Sequence, residues 1–171
     1  MASIERLGPD AFERLRAVRL RALRDAPDAF WVTADQEEAT TPEEWRGRLA
    51  KADAATFVAS GDGADVGLAV GTRHHEHEDD AGLYALWVAP EARGEGVARA
   101  LIAAVMAWAR AVGYGSLRLD VADTNEPAVR LYARLGFVPT GAVSALPPPR
   151  DHITEHERVL DLDAAHPEPV A

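Results

Sequence analysis

Two glycines sit where a strand should hand over to a helix. The run Leu86-Trp87-Val88-Ala89-Pro90-Glu91-Ala92-Arg93-Gly94-Glu95-Gly96-Val97-Ala98-Arg99-Ala100-Leu101 opens apolar and strand-like, breaks at Pro90 and continues with helical periodicity. The first amides of a helix have no intrahelical acceptor, and the helix dipole adds partial positive charge at the same end. Gly94 and Gly96 carry no Cβ, so a phosphate can approach the main chain closely. The turn lacks the Gly-Lys-Ser/Thr ending of a P-loop. Arg99 stands where a dinucleotide fingerprint would have its third glycine. The residues alone therefore allow a backbone anion site of another kind, or an ordinary glycine-rich connection between strand and helix.

A second stretch narrows that choice. Leu117-Arg118-Leu119-Asp120-Val121 alternates as a strand does. After it, Asn125 is suited to cap a helix, Pro127 to its first turn and Gly136 to its C-terminal stop. Ala128, Leu131, Tyr132 and Leu135 recur on one face of that helix. The first segment, Arg93-x-x-Gly96-x-Ala98 after a V-x-P strand end, closely resembles the acetyl-coenzyme A pyrophosphate loop of the GNAT-type N-acetyltransferases. The second, with Asn125, Ala128, Leu131, Tyr132, Gly136 and Phe137, resembles the same family's N-x-x-A-x-x-L-Y-x-x-x-G-F signature. The resemblance extends over residues 2–162, with its specific motifs confined to residues 83–137.

The resemblance implies acetyl transfer from acetyl-coenzyme A to a primary amine of a small molecule or peptide, by direct attack in a ternary complex. The absence of cysteine agrees with a mechanism that needs no acyl-enzyme. By the same resemblance, the main chain of Leu86, Trp87 and Val88 holds the pantetheine arm, and the Val88 N–H is offered to the oxyanion. Arg93 and the residues Gly94, Glu95, Gly96, Val97, Ala98 and Arg99 surround the pyrophosphate, and Asn125 contacts coenzyme A. Glu95 departs from expectation, because a carboxylate beside a pyrophosphate is repulsive unless it points to solvent. Tyr132 becomes the proton donor to the departing thiolate, although its phase alone equally describes a core aromatic. For the general base the order is Asp120, then Tyr84, which alternation places on one face with Leu86 and Val88, then His75 and His77. Another acyl group, or a non-catalytic coenzyme A-binding domain, is the alternative on the same fold.

Composition excludes other classes. A formal net charge of −10 argues against general nucleic-acid binding. The absence of cysteine removes disulfides and thiolate metal sites. No apolar run is long enough to span a bilayer, and the charged start Met-Ala-Ser-Ile-Glu-Arg lacks a signal-peptide core, so a cytoplasmic protein without membrane partners is expected. A homodimer is compatible with this reading. The run His74-His75-Glu76-His77-Glu78-Asp79-Asp80 reads as a solvated hairpin connection, with no metal expected, because none of its spacings is diagnostic of ligands.

These motifs need an α/β scaffold. Strands are expected at residues 4–7, 55–60, 66–74, 83–89, 117–121, 137–146 and 152–162. Helices are expected at residues 9–25, 41–51 and 94–112, and again after Asn125. The long helix should bury Val97, Leu101, Val105, Trp108 and Val112. The fold expected is the GNAT acyltransferase fold, a mixed sheet of about seven strands with splayed central strands and about four helices. One domain should cover residues 1–162, with a disordered tail at 163–171.

Overall fold

Asp62 and Gly63 set the first hairpin. Both adopt positive φ, 51° and 80°, the pair of left-handed residues that a two-residue turn needs to match strand twist. The structure is a computed structural model that describes residues 1–164. Its strands are β1 (Ser3–Arg6), β2 (Ala54–Gly61), β3 (Ala64–Arg73), β4 (Ala81–Val88), β5 (Ser116–Ala122), β6 (Val138–Ala145) and β7 (Thr154–Asp161). They form a mixed seven-stranded sheet in the order β1-β2-β3-β4-β5-β7-β6. The helices are α1 (Phe12–Asp25), α2 (Ala34–Glu38), α3 (Pro42–Ala50), α4 (Val97–Val112) and α5 (Glu126–Arg134). The chain divides into two compact units, and both β4 and α4 contribute to each.

The first unit comprises Met1–Thr72 with Leu83–Val105. Here β2 pairs antiparallel with both β1 and β3. Helix α3 starts in a capping box: Thr41 accepts from the Glu44 amide while the Glu44 carboxylate accepts from the Thr41 amide. It packs beside α1 and buries Trp45. Helix α4 lies hard against β3, because a Cβ on Gly67 would meet Leu101 Cδ1 at 2.9 Å and Val97 Cγ1 at 3.2 Å. Gly67→Ala is therefore expected to destabilise the protein by about 1–3 kcal/mol through overpacking. Denaturant unfolding checks this; an unchanged midpoint would mean that α4 lifts off without cost.

The second unit comprises Arg73–Gly82 and the chain from Met106. The first residues of β4 pair parallel with β5, Ala81 with Leu117 and Gly82 with Arg118. Antiparallel β7 follows, then β6. Leu117, Leu119 and Val121 bury one face of β5. Helix α5 ends where Gly136 takes φ +95°, and Tyr132 meets Phe137 edge-on at 5.6 Å between centroids.

Three expectations change. A fifth helix, α2, occupies a stretch for which no element was expected, and begins in a Thr33/Gln36 capping box. Val112 is half exposed, and Ile102 and Ala109 complete the buried face of α4 instead. The first helix begins with a separate 3₁₀ turn, Pro9–Ala11. Of the expected tail, Asp163 and Ala164 donate their amides to Asp161 Oδ1 at 2.9 and 3.1 Å; the remainder lies outside the described residues. Among the described residues, no helix is long and apolar enough to cross a membrane.

Candidate functional site

The loop between β4 and α4 offers its backbone. Gly94 and Gly96 hold φ +82° and +83°, and a Cβ built on either would meet nothing within 4 Å. The main chain there is open to a ligand and shaped as only glycine adopts without strain. Helix α4 begins directly after Gly96, whose carbonyl accepts from the Ala100 amide at 3.0 Å. Val97 is buried and anchors the first turn, while Glu95 and Arg99 are exposed. A helix N-terminus reached through two open glycines is the kind of backbone that suits an anion.

Arg93 holds the loop in place. Its Nε donates to the Val88 carbonyl at 3.0 Å, and its Nη2 pairs with Asp25 at the end of α1. The same Asp25 oxygen accepts from Trp87 Nε1 at 2.8 Å. One carboxylate thus fastens both β4 and the turn after it to α1. Trp87 is buried in this arrangement, so its main chain and not its ring remains for a ligand.

Within β4, Ala85 has φ +55°. A left-handed non-glycine residue inside a strand is uncommon and costs energy, and it breaks the two-residue alternation. The adjacent residues Tyr84 and Ala85 consequently line one and the same cavity, of about 210 Å³, framed by α1, α3, β2 and β3. The expected shared face of Tyr84 with Leu86 and Val88 assumed unbroken alternation, which Ala85 interrupts.

In the second unit, Asn125 caps α5, with Oδ1 accepting from the Ala128 amide at 3.3 Å. Tyr132 is buried, and burial pushes its phenol above the usual range. Its hydroxyl has no hydrogen-bond partner among the described residues. Asp120 lies opposite Glu157 across the β5–β7 ladder. Burial raises the Asp120 carboxyl, Glu157 and Glu76 add to the rise, and His75 opposes it. A carboxylate so raised is a stronger base than an exposed one.

The histidine run is not wholly solvated as expected. His74 is 3% exposed, and its Nδ1 accepts from the amides of Glu76 and His77 at 3.3 and 3.2 Å. It organises the turn from within, and burial pushes its pKa down. Beside it, Glu157 accepts from Arg118 at 2.9 Å and Thr140 at 2.7 Å, and Arg118 also donates to Asp80 at 2.6 Å. His74, His77 and Glu157 bring ligand atoms within 4.8 Å of one another. With Nδ1 accepting, however, the neutral His74 ring carries its proton on Nε2, 3.6 Å from Glu157, where a metal would have to displace it. Sequence reasoning missed Arg118 and Glu157, which pair with each other across almost forty residues of chain.

A mixed seven-stranded sheet whose fourth strand runs through a glycine turn into a long helix defines an α/β architecture. The chain belongs to the acetyltransferase (GNAT) family, whose model matches residues 20–137. It is 35% identical over 130 residues to mycothiol acetyltransferase of Actinosynnema mirum, covering 75% of this chain and 40% of that protein. It is 36% identical over 95 residues to streptothricin acetyltransferase of Streptomyces lavendulae, covering 56% of this chain and 50% of that one. The chain thus spans half or less of the curated relatives it matches. The solved acetyltransferase of the GNAT family from Streptococcus pneumoniae shares the fold, with a TM-score of 0.76 at 20% identity over 94% of this chain and 99% of that one.

Proposed function

We propose that this chain transfers an acetyl group from acetyl-coenzyme A to a primary amine of a small molecule or peptide. The observation that carries the reading is the open cradle at Gly94 and Gly96, where nothing stands within 4 Å of either missing Cβ. The amides of residues 94–99 hold the pyrophosphate, with Arg99 beside it and exposed Glu95 turned to water. Arg93, committed to Val88 and Asp25, keeps the loop in shape. The main chain of Leu86, Trp87 and Val88 holds the pantetheine arm, and Asn125 adds a coenzyme A contact. Acetyl-coenzyme A supplies the activated acyl group. Asp120 accepts the proton from the attacking amine, with Tyr84 second in order, and Tyr132 returns a proton to the departing thiolate. Relatives named for mycothiol and streptothricin acetylation support a small amine acceptor. A cytoplasmic location and a homodimeric state belong to the same proposal.

The test is coenzyme A release across amines, amino acids, polyamines, aminoglycosides and peptide N-termini. On the best acceptor, kcat/KM should fall as pH drops through the raised pKa of Asp120, because protonation removes the base. Asp120→Asn should abolish that acidic limb and lower kcat/KM by roughly 10²–10⁴-fold, the usual worth of a positioned base. Wild-type rates with an unmoved limb would eliminate Asp120 and leave Tyr84 first.

A further inference from the structure

The cavity that reaches Tyr84 and Ala85 has a cationic wall in an acidic protein. Arg19, Arg48 and Lys51 line it, in a chain of formal net charge −10. One buried carboxylate, Glu37, serves both arginines, accepting from Arg19 at 3.2 Å and from Arg48 at 2.8 Å. Lys51 is exposed and has no ion-pair partner among the described residues. Three positive charges therefore meet one negative. Aromatic faces hold the guanidinium groups in position: Arg48 lies 4.4 Å from the Trp45 ring and Arg19 lies 4.9 Å from Phe30. Trp45 also lines the cavity, and its indole N–H, on a side chain 1% exposed, has no acceptor among the described residues. The rest of the wall is largely apolar, which strengthens charge–charge attraction inside it.

We infer that this cavity binds a small oxyanion carried by the acceptor, a carboxylate or a phosphate, so that the substrate class is an amine with a negatively charged second group. The inference rests on the acetyl-transfer reading for its word acceptor, but the anion site stands on the cavity alone. Arg48 and Lys51 supply charge-assisted hydrogen bonds. Arg19, half-buried and paired with Glu37, adds to the positive potential of the wall. Trp45 contributes ring surface to the wall. At about 210 Å³ the space suits a small group and lies below the usual range for drug-sized ligands.

The experiment compares glycine, β-alanine and glutamate with their carboxamides, and phosphoethanolamine with ethanolamine. Acetylation and thermal stabilisation are both measured. Oxyanion-bearing amines should be acetylated with kcat/KM at least about tenfold above their neutral partners, the low end for a hydrogen bond to a charged group. The carboxylate and phosphate arms identify which oxyanion is preferred. Arg48→Gln and Lys51→Gln should raise KM for the oxyanion acceptors roughly 10- to 100-fold, preserve kcat, and leave the carboxamides within twofold. Should Arg48→Gln lose its fold because Glu37 is left underpaired, Lys51→Gln carries the test alone. Equal use of carboxylates and carboxamides, or equal losses on both in Lys51→Gln, would overturn the inference. If no amine is acetylated, the melting temperature still decides. Stabilisation by carboxylates but not carboxamides would uphold the anion site and sink only the transfer reading, whereas stabilisation by neither would sink the site.

Discussion

Acetyl-coenzyme A is expected to raise the melting temperature of the wild-type protein and to leave that of folded Gly96→Glu unmoved. A ligand specific to the folded state stabilises it by mass action, about 2.7 kcal/mol at a hundred times its Kd. For a domain of this size that corresponds to a shift of roughly 5–10 °C. Gly96 combines a positive φ with open space above its Cα. Glutamate there would fill the pyrophosphate space and set a like charge against it. Because any side chain at φ +83° is strained, Gly96→Ala is the necessary control. It shares the strain without the charge and should retain part of the shift. Equal stabilisation of wild type and Gly96→Glu would refute the pyrophosphate site.

Tyr132→Phe should keep that thermal shift while turnover falls roughly 10²–10⁴-fold, the range for losing a positioned general acid. The phenol is buried and its pKa is pushed up by that burial. It therefore stays protonated across the working range and is ready to donate. The substitution removes only the hydroxyl, so the edge-on packing with Phe137 survives. The rate-limiting step then becomes thiolate departure, and turnover should recover partly with acyl donors whose thiols are more acidic. Full activity in the Phe variant would return Tyr132 to a packing role.

What could be read in advance was local. The Asn125 cap and the Gly136 stop are each decided within four residues and formed as expected, and the Thr41/Glu44 capping box and the Asp62-Gly63 turn are equally local. The Gly94–Gly96 loop was legible for the same reason. Long-range partners were not legible. Arg93 reads as part of the pyrophosphate loop, but its pairing with Asp25, sixty-eight positions earlier, could not be read. Nothing in the letter Ala announces a left-handed residue at position 85, yet that one torsion decides which wall Tyr84 joins. The burial of His74 depends on its place in the turn, and its run of polar neighbours suggests the opposite. The cationic cavity draws Arg19 from α1 and Arg48 from α3, whose charges look like ordinary helix surface until the helices pack.

Lys51 gives the cavity a chemical handle. It is the sequence's only lysine, so apart from a terminal amine its side chain is the one target for amine-reactive reagents. It stands exposed at the wall that carries Arg48 and Tyr84. Mass-spectrometric footprinting of this chain therefore reports on a single place. A molecule seated in the cavity shields Lys51, and the rate at which the label appears measures occupancy directly, without turnover and before any acceptor has been named.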